Sequence, residues 1–175
     1  MKKIIILFSI LCGALQFAGC GSGSSASLPQ QKTATVIFTA STSAALPTAV
    51  RVIKNSAVMP PGVTVPLLPN SKREVDPGAL VAYKSGSTLF GSYSAPLLIV
   101  SVSGDVTPSS PGLGVNNVGD FVGVKVNYQA GLPLTEASFT SINPTFPDFD
   151  AQGFDSTGSS VNLTAKLKPA MRVKF

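Results

Sequence analysis

Apolar and polar residues alternate in short runs from Thr33 onward. The clearest run covers residues 121–128, where every second side chain is apolar: Val122, Val124, Val126 and Tyr128. A period of two places such side chains on one face of a β-strand. No run shows the three-and-four spacing of an amphipathic helix, and Pro and Gly separate the runs. The pattern therefore predicts strands joined by turns.

Nine strands are expected from these runs, at 33–40, 48–54, 62–66, 79–84, 96–103, 119–128, 136–142, 161–168 and 170–175. Short strands at this spacing are typical of an all-β fold in which two sheets pack face to face. We therefore expect an antiparallel two-sheet β-sandwich, jelly-roll-like, in one domain that covers residues 33–175.

The N-terminal residues have a different pattern. Lys2 and Lys3 precede an apolar run over residues 4–15, as in a secretory signal peptide. The run is shorter than the ~20 residues that a membrane-spanning helix needs. It leads into the sequence Phe17-Ala18-Gly19-Cys20, which resembles the lipobox of bacterial lipoproteins, with Phe17 where the family usually has Leu.

The lipobox resemblance implies a lipid anchor. Signal peptidase would recognise Phe17, Ala18 and Gly19 and remove residues 1–19, and Cys20 would carry the diacylglycerol and a further acyl chain. Gly21 stands where lipoproteins retained in the inner membrane often have Asp, so the outer membrane is expected, with a periplasmic or surface-exposed domain. Plain secretion and a retained membrane anchor are the alternatives. Residues 20–32, rich in Gly and Ser, are expected to form a flexible linker.

Composition narrows the function classes. The sequence contains no His and no Trp. His is the commonest general base and the commonest metal ligand, so its absence argues against an enzyme. Under the lipobox resemblance, Cys12 would be removed with the signal peptide and Cys20 would carry the lipid, so no disulfide is expected. The formal charge of +5 falls to about +3 without Lys2 and Lys3, and the basic residues are too scattered to bind nucleic acid.

Three segments resemble cohesin domains and related carbohydrate-binding-module sandwiches. Residues 76–81 resemble the cohesin turn into a strand, residues 119–126 resemble a late core strand, and residues 137–142 with the acidic loop 146–150 resemble the strand and loop that follow it. The resemblance implies a non-catalytic sandwich that binds a protein module, as cohesins bind dockerins. It carries over no dockerin-contact residue.

An acidic loop is the first candidate site. Asp148, Asp150 and Asp155 lie close together in the sequence, with Gly153 and Gly158 among them. Carboxylates two residues apart on a turn suit Ca²⁺, although the loop lacks the spacing of an EF-hand. The alternative is a solvated loop whose Asp side chains cap turns. No other cofactor is expected.

Two further features of the sequence bear on ligand binding. Tyr83, Tyr93 and Tyr128 are the candidates for a flat platform on which sugar rings stack, although the alternation places Tyr128 with the valine face. The Gly-rich segment 111–119 lacks the Lys-Ser/Thr ending of a phosphate loop, so no nucleotide is expected.

The sequence thus predicts a non-catalytic lipoprotein of the cell envelope that presents its sandwich for protein or glycan binding. The alternative is a structural accessory subunit of an outer-membrane or secretion complex.

Overall fold

The computed structural model describes residues 30–104 and 119–175, which form a two-sheet antiparallel β-sandwich. The predicted fold class is confirmed. The described strands are β1 (Gln31–Ser41), β2 (Val50–Val58), β3 (Val63–Thr64), β4 (Leu80–Ala82), β5 (Thr88–Ser94), β6 (Leu97–Ser103), β7 (Gly119–Gln129), β8 (Asp150–Phe154), β9 (Ser160–Asn162) and β10 (Lys168–Lys174). One short helix, α1 (Glu136–Thr140), and two 3₁₀ turns (Pro77–Ala79 and Thr164–Lys166) complete these elements.

The first sheet has the order β10-β1-β7, and both β3 and β4 pair with the far side of β7. The second sheet has the order β5-β6-β2-β8-β9. Between the sheets lies an apolar core in which the rings of Phe38 and Phe121 lie 6.4 Å apart. Phe121 joins Val122 in the core because the pairing of β1 with β7 shifts between Phe38 and Thr39.

The sandwich has two ends, and the one where β1 begins is called here the linker end. There Gln31 pairs with Gln129, and Val63 pairs with Tyr128 on the other side of β7. In the second sheet, Val58 pairs with Leu97, and Tyr93 pairs with the next residue, Leu98. The Tyr93 hydroxyl lies 3.4 Å from the carbonyl oxygen of Val63, so the Val58–Leu97 pair is also at the linker end. The opposite end contains the last residue of β1 and the first of β2.

The strand predicted over 136–142 is wrong, because residues 136–140 form helix α1. Thr135 and Ser138 form a capping box at its first turn, and Glu136 lies where the helix dipole favours a negative charge. Phe139 packs into the core from the helix. Residues 137–140, in the third segment of the cohesin resemblance, are therefore helical and not a strand. Neither α1 nor any other helix within residues 30–104 and 119–175 is long and apolar enough to cross a membrane.

Other strands differ in their bounds, and two were not predicted. The run 48–54 corresponds to β2, which extends to Val58, and the run 161–168 is divided into β9 and the 3₁₀ turn Thr164–Lys166. β5 was not predicted, and β8 falls in the stretch interpreted as an acidic loop. The strands β1, β6, β7 and β10 agree with the prediction to within about two residues.

Candidate functional site

The outer face of the first sheet carries an exposed aromatic ring. Val122 and Val124 of β7 face the core, so Gly123 between them faces outward. A Cβ atom at Gly123 would lie 3.1 Å from Cε2 of Tyr83 and 3.1 Å from Cγ2 of Thr35. The missing side chain therefore makes room for the Tyr83 ring, which packs on the middle of the sheet and remains 39% exposed.

An ion pair lies on the same sheet. The Arg172 guanidinium contacts Asp120 through two hydrogen bonds, from Nη2 to Oδ2 and from Nε to Oδ1 (3.4 Å). The hydrogen bond from Arg172 to Asp120 and the charge of Asp120 raise the pKa of Arg172. Half of the Arg172 side chain is exposed, so the pair adds little to stability and its remaining donors face solvent.

A buried isoleucine separates the ring from the ion pair. Ile37 of β1 is opposite Arg172 on one side and opposite Gly123 on the other. It points away from the core, since Val36 and Phe38 face inward, yet it is only 2% exposed. Outward side chains must therefore cover it. Tyr83 next to Gly123, and Arg172 with its partner Asp120, lie on either side of Ile37 on this outer face; these three residues are called here the Tyr83 face.

The other two tyrosines do not share the Tyr83 face, so the three-residue platform is wrong. Tyr93 is 8% exposed on the core side of β5, where burial raises its pKa. Tyr128 contacts Phe175 edge to face at a ring distance of 6.0 Å. Tyr83 alone among the three presents its ring on an open sheet face.

The three aspartates of the predicted acidic loop have separate partners. Asp148 accepts a hydrogen bond from the Ser56 hydroxyl at 2.7 Å. Asp150 begins β8 and accepts from Gln152 and Thr164. Because residues 150–154 form a strand, the chain does not curl around a common centre as the loop interpretation required.

Asp155 caps the turn after β8. It accepts from the Thr157 hydroxyl (2.6 Å) and from the backbone N–H groups of Thr157 and Ser159. These bonds, the Thr157 hydroxyl first, lower its pKa. Within the described parts of the chain, no group of three or more His, Cys, Asp or Glu side chains is placed to hold a metal ion. The geometry thus gives no support to the predicted calcium loop.

A proline-rich apolar cleft opens at the linker end. Its larger part has a volume of about 340 Å³ and a smaller part adjoins it, and Val58 and Ile142 line both. Three large apolar side chains of the cleft are exposed: Val58 (37%), Leu97 (36%) and Ile142 (41%). The remaining lining includes Met59, Pro60, Pro61, Pro96, Pro144 and Pro147. The sequence pattern gave no sign of this cleft, because its residues come from three separate segments.

The described residues thus define a two-sheet β-sandwich with a polar aromatic face and an apolar cleft. Comparison with family models, with curated proteins and with solved structures finds no match to this chain. The predicted signal peptide, lipobox, Cys20 and most of the Gly-rich segment 111–119 lie outside the described residues.

Proposed function

We propose that this chain is a non-catalytic lipoprotein of the bacterial outer membrane, anchored by lipid at Cys20, that binds a protein or glycan ligand on the Tyr83 face. The observation that carries the proposal is the Tyr83 ring, held open on the sheet over Gly123 beside the Arg172–Asp120 pair. A glycine in the middle of a central strand weakens that strand, and here it provides the space for an exposed aromatic ring.

The chemistry of the face favours a glycan. A sugar ring presents C–H groups, which pack on an aromatic face, and hydroxyl groups, which need both donors and acceptors. Tyr83 offers the ring, Arg172 offers N–H donors, and Asp120 offers carboxylate oxygens. Asp120 and Arg172 lie on strands β7 and β10, and Tyr83 directly follows β4 with its ring packed over Gly123, so little conformational entropy is lost when a ligand binds.

Calorimetric titration of the purified protein with soluble peptidoglycan fragments and with lipopolysaccharide tests the proposal. Tyr83→Ala should weaken binding about tenfold or more, equivalent to about 1.4 kcal/mol, whereas Tyr83→Phe keeps the ring and most of the affinity. Phe90→Ala is the matched control, because Phe90 is an exposed aromatic residue (53%) on the outer face of the other sheet.

Equal affinity of the wild-type protein and Tyr83→Ala would refute the Tyr83 face as the binding site. If neither glycan binds and the protein instead copurifies in fixed ratio with envelope proteins, the accessory-subunit alternative takes its place.

A further inference from the structure

The apolar cleft lies at the end of the sandwich nearest to Cys20 in the sequence. The Gln30 carbonyl accepts a hydrogen bond from Ala130 N–H at 2.7 Å, which ties the first described residue to the turn after β7. Leu132 of that turn packs against Gly62, where a Cβ atom would lie 2.7 Å from its Cδ1. Gly62 lines the cleft. One turn of chain therefore separates Gln30 from the cleft.

The length of chain between Cys20 and Gln30 limits how far this end can be from a membrane. Ten residue steps span at most about 36 Å, even when fully extended. A bilayer that holds the lipid on Cys20 is thus always within this distance of the linker end. Because the chain ties the cleft to this bilayer, the effective concentration of lipid at the cleft exceeds the concentration of a freely diffusing partner.

The exposed side chains at the linker end suit a lipid surface. Val58, Leu97 and Ile142 project from the cleft, and Phe175 (52% exposed) also lies at the linker end, with its ring 6.0 Å from that of Tyr128. Exposed apolar side chains grouped in this way mark an interaction surface. Lys32 in β1 and Lys174 in β10, both exposed, lie toward the same end of the first sheet and attract anionic headgroups.

The polar groups of the cleft favour hydrocarbon over a peptide or a sugar. Asn143 uses both ends of its amide, accepting from the Val58 N–H and donating to the carbonyls of Val58 and Phe139. The Ser56 hydroxyl already donates to Asp148. A peptide or a sugar would need free hydrogen-bonding partners, which Asn143 and Ser56 do not offer, whereas acyl chains need only the apolar side chains of the cleft.

We infer that the linker end docks on the phospholipid bilayer, with Val58, Leu97 and Ile142 at the boundary between headgroups and acyl chains. This inference rests on the proposed lipid anchor at Cys20. Docking adds a second membrane contact to the acyl chains and fixes the orientation of the domain. The opposite end then points away from the bilayer, and the Tyr83 face is roughly perpendicular to the bilayer plane.

The sequence contains no Trp, so a single introduced indole reports only its own surroundings. Ile142→Trp places the indole in the cleft. Phe154→Trp is the matched control, because Phe154 is similarly exposed (48%) and follows Gly153, which pairs with Val50 at the opposite end of β2. The length of β2 separates the two positions by about 26 Å.

The full-length lipoprotein, purified from membranes, is reconstituted into vesicles of phosphatidylethanolamine and phosphatidylglycerol with brominated acyl chains, which quench indole on contact. We expect at least about twofold quenching for Ile142→Trp and little for Phe154→Trp, since interfacial side chains enter the bilayer by about 5–10 Å. Leu97→Trp, at a second cleft position, should repeat the result if Ile142→Trp does not fold.

Every other outcome overturns either the docking or the anchor. Protein that floats with the vesicles but shows no quenching at positions 142 and 97 disproves the docking and leaves the anchor intact. Equal quenching at position 154 also disproves it, because the domain then has no preferred end. Protein that does not float with the vesicles disproves the anchor, and the docking with it.

Discussion

The Asn143 side chain pairs with the backbone of Val58 as a neighbouring strand would. The Val58 N–H donates to Oδ1 at 2.7 Å, and Nδ2 donates to the Val58 carbonyl at 2.9 Å. The pairing of β2 with β8 ends at Lys54 and Asp150, so the last residues of β2 have no β8 partner on that side. One amide side chain from the turn after α1 therefore satisfies the exposed backbone groups of Val58.

Replacing this amide should destabilise the fold. Asn143→Ala leaves the backbone groups of Val58 and the Phe139 carbonyl without their partner, and we expect a loss of about 2 kcal/mol in the free energy of unfolding. Asn162→Ala is the control, since Asn162 is exposed and its Oδ1 accepts one bond, from Thr164 N–H. Urea denaturation measures the free energy of unfolding of both variants. An equal loss of stability in Asn143→Ala and Asn162→Ala would contradict the special role of Asn143.

The Tyr83 face depends on a small residue at position 123. Gly123→Ala adds a Cβ atom 3.1 Å from both Tyr83 and Thr35, so the Tyr83 ring should shift and glycan affinity should fall. The unfolding free energy should change by only about 1 kcal/mol, because the ring lies at the surface. In the double variant Gly123→Ala/Thr35→Ser, the Thr35 Cγ2 atom is absent and the new Cβ atom crowds only Tyr83. If this double variant regained wild-type glycan affinity, the loss in Gly123→Ala would come from crowding of Thr35 and not from displacement of Tyr83.

Stability at low pH should depend on Asp155. Its pKa in the fold lies below the ordinary value of 3.8, so its contribution is present above that value and disappears as the pH falls through the lower folded value. Asp155→Asn should therefore melt below the wild type at about pH 6, and the difference between the two melting temperatures should shrink as the pH falls below 3.8. A difference that is independent of pH would exclude the carboxylate as its source.

Calcium should leave stability unchanged. Asp148, Asp150 and Asp155 each accept hydrogen bonds from different groups and share no centre. A ligand that binds only the folded state raises its stability by about 2.7 kcal/mol at a hundredfold excess over Kd. Melting curves in excess Ca²⁺ and in chelator should superimpose. A higher melting temperature in Ca²⁺ would restore the metal site.

Cys20 should determine membrane attachment. Cys20→Ser removes the thiol that the lipobox chemistry acylates, so the variant should leave the membrane fraction or accumulate with its signal uncleaved. Gel mobility and flotation of whole envelopes measure both outcomes. Normal cleavage with unchanged membrane attachment would contradict the proposed anchor.

The alternation of side chains was enough to predict the long strands, and it failed where small residues were needed for close approach. The alternating pattern alone predicts β1 and β7. In β8, a Cβ atom at Gly153 would lie 2.4 Å from the Ala49 carbonyl oxygen, so a glycine is required in a strand, where the sequence suggests a turn. Helix α1 is five residues long, too short to show a helical period.

The candidate site could be predicted only in part. The sequence offers Tyr83 as a candidate for stacking on sugar rings, but nothing near it in the sequence links it to Arg172 or Asp120. Those two residues are 52 positions apart, and only the shared pairing of β7 and β10 with β1 brings them together. Register between distant strands follows from packing of the whole core, which one sequence does not reveal.

Strand β10 forms an edge of the first sheet, and its composition bears on how the protein behaves when crowded. Edge strands expose backbone groups that can pair with a second chain and start aggregation. β10 contains Pro169, which cannot donate, and three cations: Lys168, Arg172 and Lys174. Under the proposed anchor at Cys20, copies would share one membrane plane and would meet more often than copies in solution. The proline and the three cations of β10 disfavour pairing of this edge with the sheet of a second copy.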